Sequence, residues 1–497
     1  MSKVEVNEIA QQTGTTLTVG GGACKTVKVC GTTVTIGRCG GTVTLASGAT
    51  QSGFGSAGQL VDWCTTAKTS PLTAVSGKGY FINTCGGAVT VTLPASPSAG
   101  NIVSVADYKG TAASNKITIG RNGSKFEGSC INGAIDENRG AVTLVYVDGT
   151  QGWVAVNDNA EIKTNKEYVT ASGGNATITC GDYKTHIFTG GGSVCVSAAG
   201  NSAGSNTVDY IVIGGGASAA GFYFGGGGGA GGFRMSNSLS LPAPTTSPLA
   251  NPAGLPVSVQ GYPIAVGGGS TAPNNGSTSP TVGTSGNVST FSSITSAGGG
   301  GGGNEDNDAV AGASGGGSGG YNSPTPRGPG GAGNTPPVSP PQGNTGGAGA
   351  GASMPTGSAN GAGGGGGGAV GVGSRPGLGT GGAGSYIADS FFGPTAPSYG
   401  TPGPVSNTRY FSGGGGGGLG PGGPTCGDAP GGIAQGGAGG GAMGRGPANS
   451  PTFAGFAGTA NTGGGGGGTG NNSPASNGGK GGTGGSGFVA IRYKFQN

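Results

Sequence analysis

Hydrophobic and polar residues alternate along the first part of the chain. In residues 15–50, TTLTVGGGACKTVKVCGTTVTIGRCGGTVTLASGAT, the segments LTV, TVKV, TVTI and TVTL place an apolar side chain at every second position, with Gly between most of them. Successive strand side chains point to opposite faces, so this period predicts short β-strands. Each strand has one apolar and one Thr-rich face. A small stacked or interchain β-structure is expected, with partner chains supplying cover. The same alternation returns over residues 78–157, in GYFINT, AVTVTLPASP, NIVSVADY, KITIGRNG and AVTLVYVDGTQGWVAVND. Turn signals between these runs predict a compact sandwich or barrel. ENRG (137–140) and VDGTQG (147–152) read as hairpin turns, and Trp153 as a core or rim anchor. A smaller β-element covers about 167–200 and holds the chain's only histidine, His186, expected to be structural. No helix is predicted before residue 200.

From DYIVIGGG (209–216) the pattern changes to glycine tracts separated by unlike segments. Tracts occur at 225–232, 298–303, 315–320, 330–333, 346–351, 361–368, 413–418, 436–446, 463–468 and 478–485. Apolar strands bracket them: YIVIGG opens the region, YPIAVGGG (262–269) and STFSSITSAGGG (289–300) follow, and SGFVAIRYKF (486–495) closes it. Collagen is excluded, because the strict Gly-X-Y triplet fails. Disorder is the compositional default. Tracts of similar length ending in an apolar strand favour order instead. An extended polyproline-II-like chain has three residues per turn and all its N–H and C=O groups pointing outward. With hydrogen for a side chain, such helices can approach closely enough to bond one another and satisfy every buried polar group. Alanine is expected only at the bundle surface or in widened gaps. The fold class expected is all-β stem modules followed by a glycine-rich domain of packed polyglycine-II-like helices with protruding loops and almost no α-helix. The expected boundaries are a β-rich attachment segment at 1–77, a sandwich-like module at 78–160, a β-connector at 161–208 and the glycine-rich domain at 209–497.

Composition sharpens this division. Of 126 glycines, 32 fall in residues 1–200 and 94 in 201–497, so the two parts are different materials. The net charge of +4, with no Lys/Arg cluster, argues against nucleic acid, which needs a basic footprint. No apolar run is long enough for a membrane span, and the first residues lack a signal-peptide core. Assembly in a host cytoplasm is expected. The nine cysteines form no C-x-x-C pair and read mostly as small buried strand residues.

The tract-and-loop pattern of 214–486, in runs such as SAGGGGGGN, GAGGGGGGAVG, FSGGGGGGLG and NTGGGGGGTG, resembles the glycine-rich adhesins at the tips of T-even-like phage tail fibres. The front half, with TVKVCGTTVTIGRCGGTVTLASGATQSGFG, is similar to stem modules of marine phage tail fibres. The resemblance implies layered polyglycine-II packing and receptor binding through loops. It also implies a homotrimer attached to phage tail or baseplate proteins by its N-terminus, located in the virion. Those adhesins cap a separate fibre protein, whereas this chain carries its own β-modules.

Three functions compete. A receptor-binding fibre would recognise a bacterial surface protein or glycan through loops, where specificity varies. The candidate contacts are the aromatic and Arg residues, the types that dominate hot spots: Tyr321, Arg327, Arg375, Tyr386, Phe391, Phe392, Tyr399, Arg409, Tyr410, Phe411 and Phe453, with Phe456 beside them. Segment 385–411 holds most of them. A purely structural glycine-rich fibre is the alternative, but its class shows near-identical repeats, absent here. An enzyme is not expected: acids after residue 200 are few, one His is available, and no phosphate-loop motif occurs. No cofactor or metal is expected, and NEDND (304–308) reads as a solvated loop rather than a cation site.

Overall fold

The computed structural model describes residues 61–158, 163–164, 166–221, 224–239, 241, 245–273, 281–320, 328–349, 368–373, 379–419, 433–446, 454–470 and 479–496. The first alternating stretch, 15–50, lies outside the described residues. By contacts the chain divides into Met1–Asp62 and Trp63–Asn497, and nearly everything described belongs to the second unit.

Residues 61–158 form a sandwich whose chain moves repeatedly from one sheet to the other. One sheet holds, in order, Asp62–Lys68, Lys78–Ile82, Ile102–Asp107, Ala141–Asp148 and Gly152–Asp158. The other holds Lys163–Thr164, Gly133–Ile135, Ile117–Gly120, Val89–Thr92 and Leu72–Thr73. Because successive strands alternate between sheets, Lys78–Ile82 pairs with Ile102–Asp107 in parallel, and Val89–Thr92 with Ile117–Gly120 likewise. The alternating residues Ile82, Val91, Val103, Val105, Ile117, Ile119 and Leu144 close one core between the sheets, with Trp153 fully buried in it. VDGTQG is the hairpin expected: the Asp148 carboxylate accepts the Thr150 and Gln151 amides, both at 2.7 Å. ENRG is not a hairpin. It carries the chain from Gly133–Ile135 in one sheet to Ala141–Asp148 in the other. A polar turn sequence fits either connection, and only strand pairing decides between them.

The glycine-rich domain starts from a second sandwich. Its five-stranded sheet runs Val169–Ser172, Gly192–Ala199, Gly261–Ala265, Ser289–Phe291, Ile294–Ser296. Its seven-stranded sheet runs Ala176–Cys180, Tyr183–Phe188, Phe488–Lys494, Thr207–Ile213, Phe233–Ser236, Ala250–Asn251, with Leu255–Pro256 also paired to Thr207–Ile213. The C-terminal strand is therefore central, inserted antiparallel between Tyr183–Phe188 and Thr207–Ile213. YIVI and FVAI read as unbroken apolar runs because both faces are covered. Tyr210, Val212, Val489 and Ile491 meet the five-stranded sheet, while Ile211, Ile213, Phe488 and Ala490 meet the 385–411 segment on the other side. The strands between 169 and 199, read from sequence as a connector, thus complete both sheets of this domain.

Strands pass directly into glycine tracts, which among the described residues are neither helix nor strand apart from the short pairing of Gly444–Arg445 with Ile433–Ala434. Their hydrogen bonds show the three-residue period of a polyglycine-II bundle. Along 214–220, the amides of Gly214, Ala217 and Ala220 donate to Gly232, Gly229 and Gly226. Those of Gly215 and Ser218 donate to Asn287 and Thr284, and those of Gly216 and Ala219 to Gly485 and Gly482. One tract therefore bonds three neighbours in rotation. Tract 225–232 lies deepest: it donates to 463–469 and 297–303, and accepts from 214–220, 314–317 and 415–418. A Cβ at Gly226, Gly227 or Gly228 would strike the carbonyl oxygen of Gly317, Gly415 or Ala217 respectively. Glycine is required there by close approach of backbones.

Ala217, Ala219, Ala220, Ala230 and Ala313 are fully buried, so among the two places expected for alanine these five occupy gaps inside the lattice rather than its surface. One expectation is corrected: the described cysteines are not buried. Cys85, Cys130 and Cys195 are exposed, and Cys64 and Cys180 half-buried, all as free thiols. On Gly192–Ala199 the strand period turns Val194 and Val196 inward and Cys195 outward. Among the described residues the helical content is two short 3-10 segments, Asp389–Phe391 and Gly393–Ser398, so the chain is nearly all β with a glycine-rich domain.

Candidate functional site

The direction of each tract assigns the connections between tracts to one of two ends. Thr207–Ile213 leads from the sheets into 214–220, and 225–232 returns antiparallel to it into Phe233–Ser236. Ala220 bonds Gly226, Gly226 bonds Gly303, and Gly303 bonds Gly317, at 3.1, 2.8 and 2.8 Å. At the same level Gly225 donates to Thr469, Gly418 to Gly225, Arg445 to Gly468 and Gly455 to Lys480. Described tracts reach this level at 303, 320, 419, 446 and 470, and the described chain resumes at 328, 433, 454 and 479, with 304–309 described throughout. The sequences between these points differ in length and composition.

The 304–309 connection is described. Asn304 is buried, and its Oδ1 accepts the amides of Asp306 and Asn307 at 2.9 and 2.8 Å, fixing a tight turn. Tyr321, Arg327, Arg375 and Phe453 lie outside the described residues.

The other candidates lie at the opposite, sheet end, because Ser385–Ala388 continues a tract that runs toward the sheets and Thr408–Phe411 leads into tract 413–418, which runs away from them. Segment 385–411 is a two-stranded ribbon with two 3-10 turns, laid on the outer face of the seven-stranded sheet. Phe391, Phe392 and Phe411 are buried against Ile211, Ile213 and Phe488, with the Phe411 and Phe488 rings stacked at 5.4 Å. Thr185 Oγ1 donates to the Phe391 carbonyl at 2.9 Å, fastening the ribbon to the sheet. Tyr410 is buried. Burial pushes its phenol pKa up, and its hydroxyl accepts the Val405 amide at 3.3 Å. Tyr386 is half-buried beside it, with ring centroids 5.2 Å apart. Arg409 is half-buried and turned inward, donating to the carbonyls of Tyr399 at 2.6 Å and Gly400 at 3.1 Å. Tyr399, also half-buried, packs on Phe392 and Phe488. The ribbon's aromatics are thus engaged with the sheet. Its exposed positions are small or polar residues and prolines: Ser390, Pro394, Thr395, Pro397, Ser398, Pro402, Pro404, Ser406 and Asn407.

His186 is buried and structural. Its Nδ1 lies 2.7 Å from the Gly173 carbonyl and its Nε2 3.0 Å from the Tyr493 hydroxyl. That hydroxyl also accepts the Ala171 amide at 3.2 Å, so the network joins the two sheets. Burial is the main cause holding the imidazole pKa below its ordinary value. Among the described residues no group of three or more His, Cys, Asp or Glu is placed to hold a metal ion. No helix among them is long and apolar enough to cross a membrane.

One sequence signal does not depend on aromatic content: Asn-Ser-Pro recurs at 322–324, 449–451 and 472–474, each time between tracts and outside the described residues. Selecting aromatics and Arg by residue type favoured the ribbon, where those residues serve packing.

Residues 196–494 match the family described as a glycine-rich domain. The match covers well over half of the chain, which belongs to that family. No curated protein matches it.

Proposed function

We propose that the chain is a viral tail fibre that binds a bacterial surface through the far-end connections of its glycine bundle. The observation that carries this reading is the arrangement of the bundle. Its tracts are locked by backbone hydrogen bonds, and they hold several connections of unlike length and sequence at one end. A rigid scaffold with variable loops is the general solution for a specificity surface. The resemblance to phage fibre-tip adhesins supports the same reading. A homotrimer, attached through the N-terminal segment to tail or baseplate proteins of the virion, completes it. Three loop sets at one tip would multiply weak contacts into avidity. Binding without catalysis is sufficient for this role.

The test is binding of the purified chain to a panel of intact bacteria, beside variants whose 321–327 or 471–478 segment is replaced by Gly-Ser linkers. Replacing 385–411 would instead strip cover from Phe488 and its neighbours. Binding by the parent to some strain, with loss in variants that keep the parent's thermal midpoint, is expected. Binding to none of the panel overturns the reading in favour of a structural virion component. Light scattering after size exclusion checks the trimer.

A further inference from the structure

Resting on the homotrimer of that reading and deepening it, we infer that the outer face of the first sandwich's five-stranded sheet, the one that begins with Asp62–Lys68, is the interface between copies of this chain. That sheet turns Tyr80, Ile82, Val103, Val105 and Leu144 into the core, so strand alternation turns the intervening residues outward. Trp63, Phe81, Val145, Val147, Val154 and Val156 stand at outward positions. Trp63 is 38%, Val147 45% and Val156 52% exposed, while Phe81, Val145 and Val154 are half-buried. The Trp63 indole lies on Gly79, where a Cβ would strike its ring carbons, and its centroid is 4.8 Å from that of Phe81. Tyr108, exposed just beyond strand Ile102–Asp107, meets Phe81 edge-on at 6.5 Å. Aromatic and Val side chains thus span the sheet from its first strand to its last.

Lack of charge selects the occupant. No outward position of these strands whose side chain is described holds Asp, Glu, Lys or Arg. The hydroxyls of Ser104 and Thr143, in the middle of the face, are partnered with each other at 2.8 Å. The far side of the sandwich is different: there Val89 and Val91 turn inward and Thr90 and Thr92 outward, a surface suited to water. A rotation axis brings each residue of an interface near its own copies. A charged face would repel itself there, and an uncharged one does not. Interfaces between permanent copies are also the most apolar class, like a core cut in half, whereas separable partners meet through surfaces as polar as the rest of the protein. With strands about 4.8 Å apart and roughly five residues long, the face covers on the order of 400 Å², the size of patch that marks a contact site on a soluble chain. Three such faces meeting at one axis remove the Val side chains and the Trp63 ring from water together.

The experiment uses the full chain. Light scattering after size exclusion should give a multiple of the chain mass for the parent. Val147→Lys and Val156→Lys, both at exposed positions of the single chain, are expected to weaken self-association about tenfold or more each. Thr90→Lys, on the opposite face, should leave it unchanged, and circular dichroism should show the parent's strand content in all three. A second measurement needs no variant to fold. The chain has two tryptophans, and Trp153 is buried inside the sandwich. Acrylamide quenching therefore reports Trp63, which should be shielded in the assembled parent and open in the dissociated variants. A monomeric parent overturns the inference and the trimer with it. Folded Val147→Lys and Val156→Lys chains that keep the parent's mass, or an assembled parent whose Trp63 is freely quenched, overturn this face and leave the trimer standing. Binding to cells through the loops is read separately, so its failure is distinguishable from either result.

Discussion

At the residue scale, glycine and histidine carry the clearest consequences. Gly227 faces Gly415 so closely that a methyl cannot enter without moving a backbone. Gly227→Ala is expected to destabilise the domain by about 1–3 kcal/mol, the range of overpacked cores. Thr483→Ala, on a half-exposed position of an outer tract, should stay within about 0.5 kcal/mol. Paired thermal melts check the contrast. His186 predicts a pH dependence. Burial lowers its folded-state pKa, while the backbone bond to Gly173 opposes this and Lys184 adds to the lowering. The unfolded chain therefore takes up the proton first. The stability from neutral His186 is present above its unfolded pKa of about 6.5 and is lost as pH falls through the folded value. The thermal midpoint should fall between pH 7 and 5.5, and His186→Asn should flatten that dependence.

At the scale of elements, the position of non-glycine residues within a tract reports its place in the bundle. Tracts 225–232, 413–418 and 463–468 are buried at every residue, as is 299–303. In GKGGTGGSG the non-glycines Lys480, Thr483 and Ser486 recur every third residue at exposed or half-buried positions, whereas Gly481, Gly482, Gly485 and Gly487 are buried and Gly484 is half-buried. In AGFAGTA two of every three positions face outward, with Gly455 and Gly458 bonded to Lys480 and Thr483. Three residues per turn produces this code. Hydrogen exchange should show slow amides in 225–232, protected like those of the central strands, and fast ones at Ala454 and Ala457. The 385–411 ribbon is an element of another kind. Its Phe residues complete the outer core, so Phe392→Ala should cost about 3–5 kcal/mol, whereas Ser398→Ala, at an exposed turn, should cost little.

At the scale of the whole molecule, the glycine-rich domain is closed by its last strand. Phe488–Lys494 supplies ladder partners to both Tyr183–Phe188 and Thr207–Ile213. Loop-closure entropy must be overcome before such distant segments reward it, which slows folding. Truncation after residue 487 is expected to prevent folding of the glycine-rich domain, seen as loss of cooperative melting and of slow amides.

Much of this was legible in the sequence, for a local reason. Alternation identifies strands, Trp153 and the Val/Ile positions identify a core, and runs of glycine identify backbones packed too closely for side chains. Each depends on period and side-chain size, which neighbouring residues already fix. The destination of each connection was not legible. ENRG crosses between sheets, the 167–200 strands complete a sandwich with the C-terminus, and the aromatic-rich 385–411 segment covers that sandwich. The described 304–309 turn lies at the other end of the bundle. These outcomes depend on which distant strands and tracts pair and in which direction. Identical glycine runs have no side chains to encode that choice, so only the complete hydrogen-bonded lattice decides it.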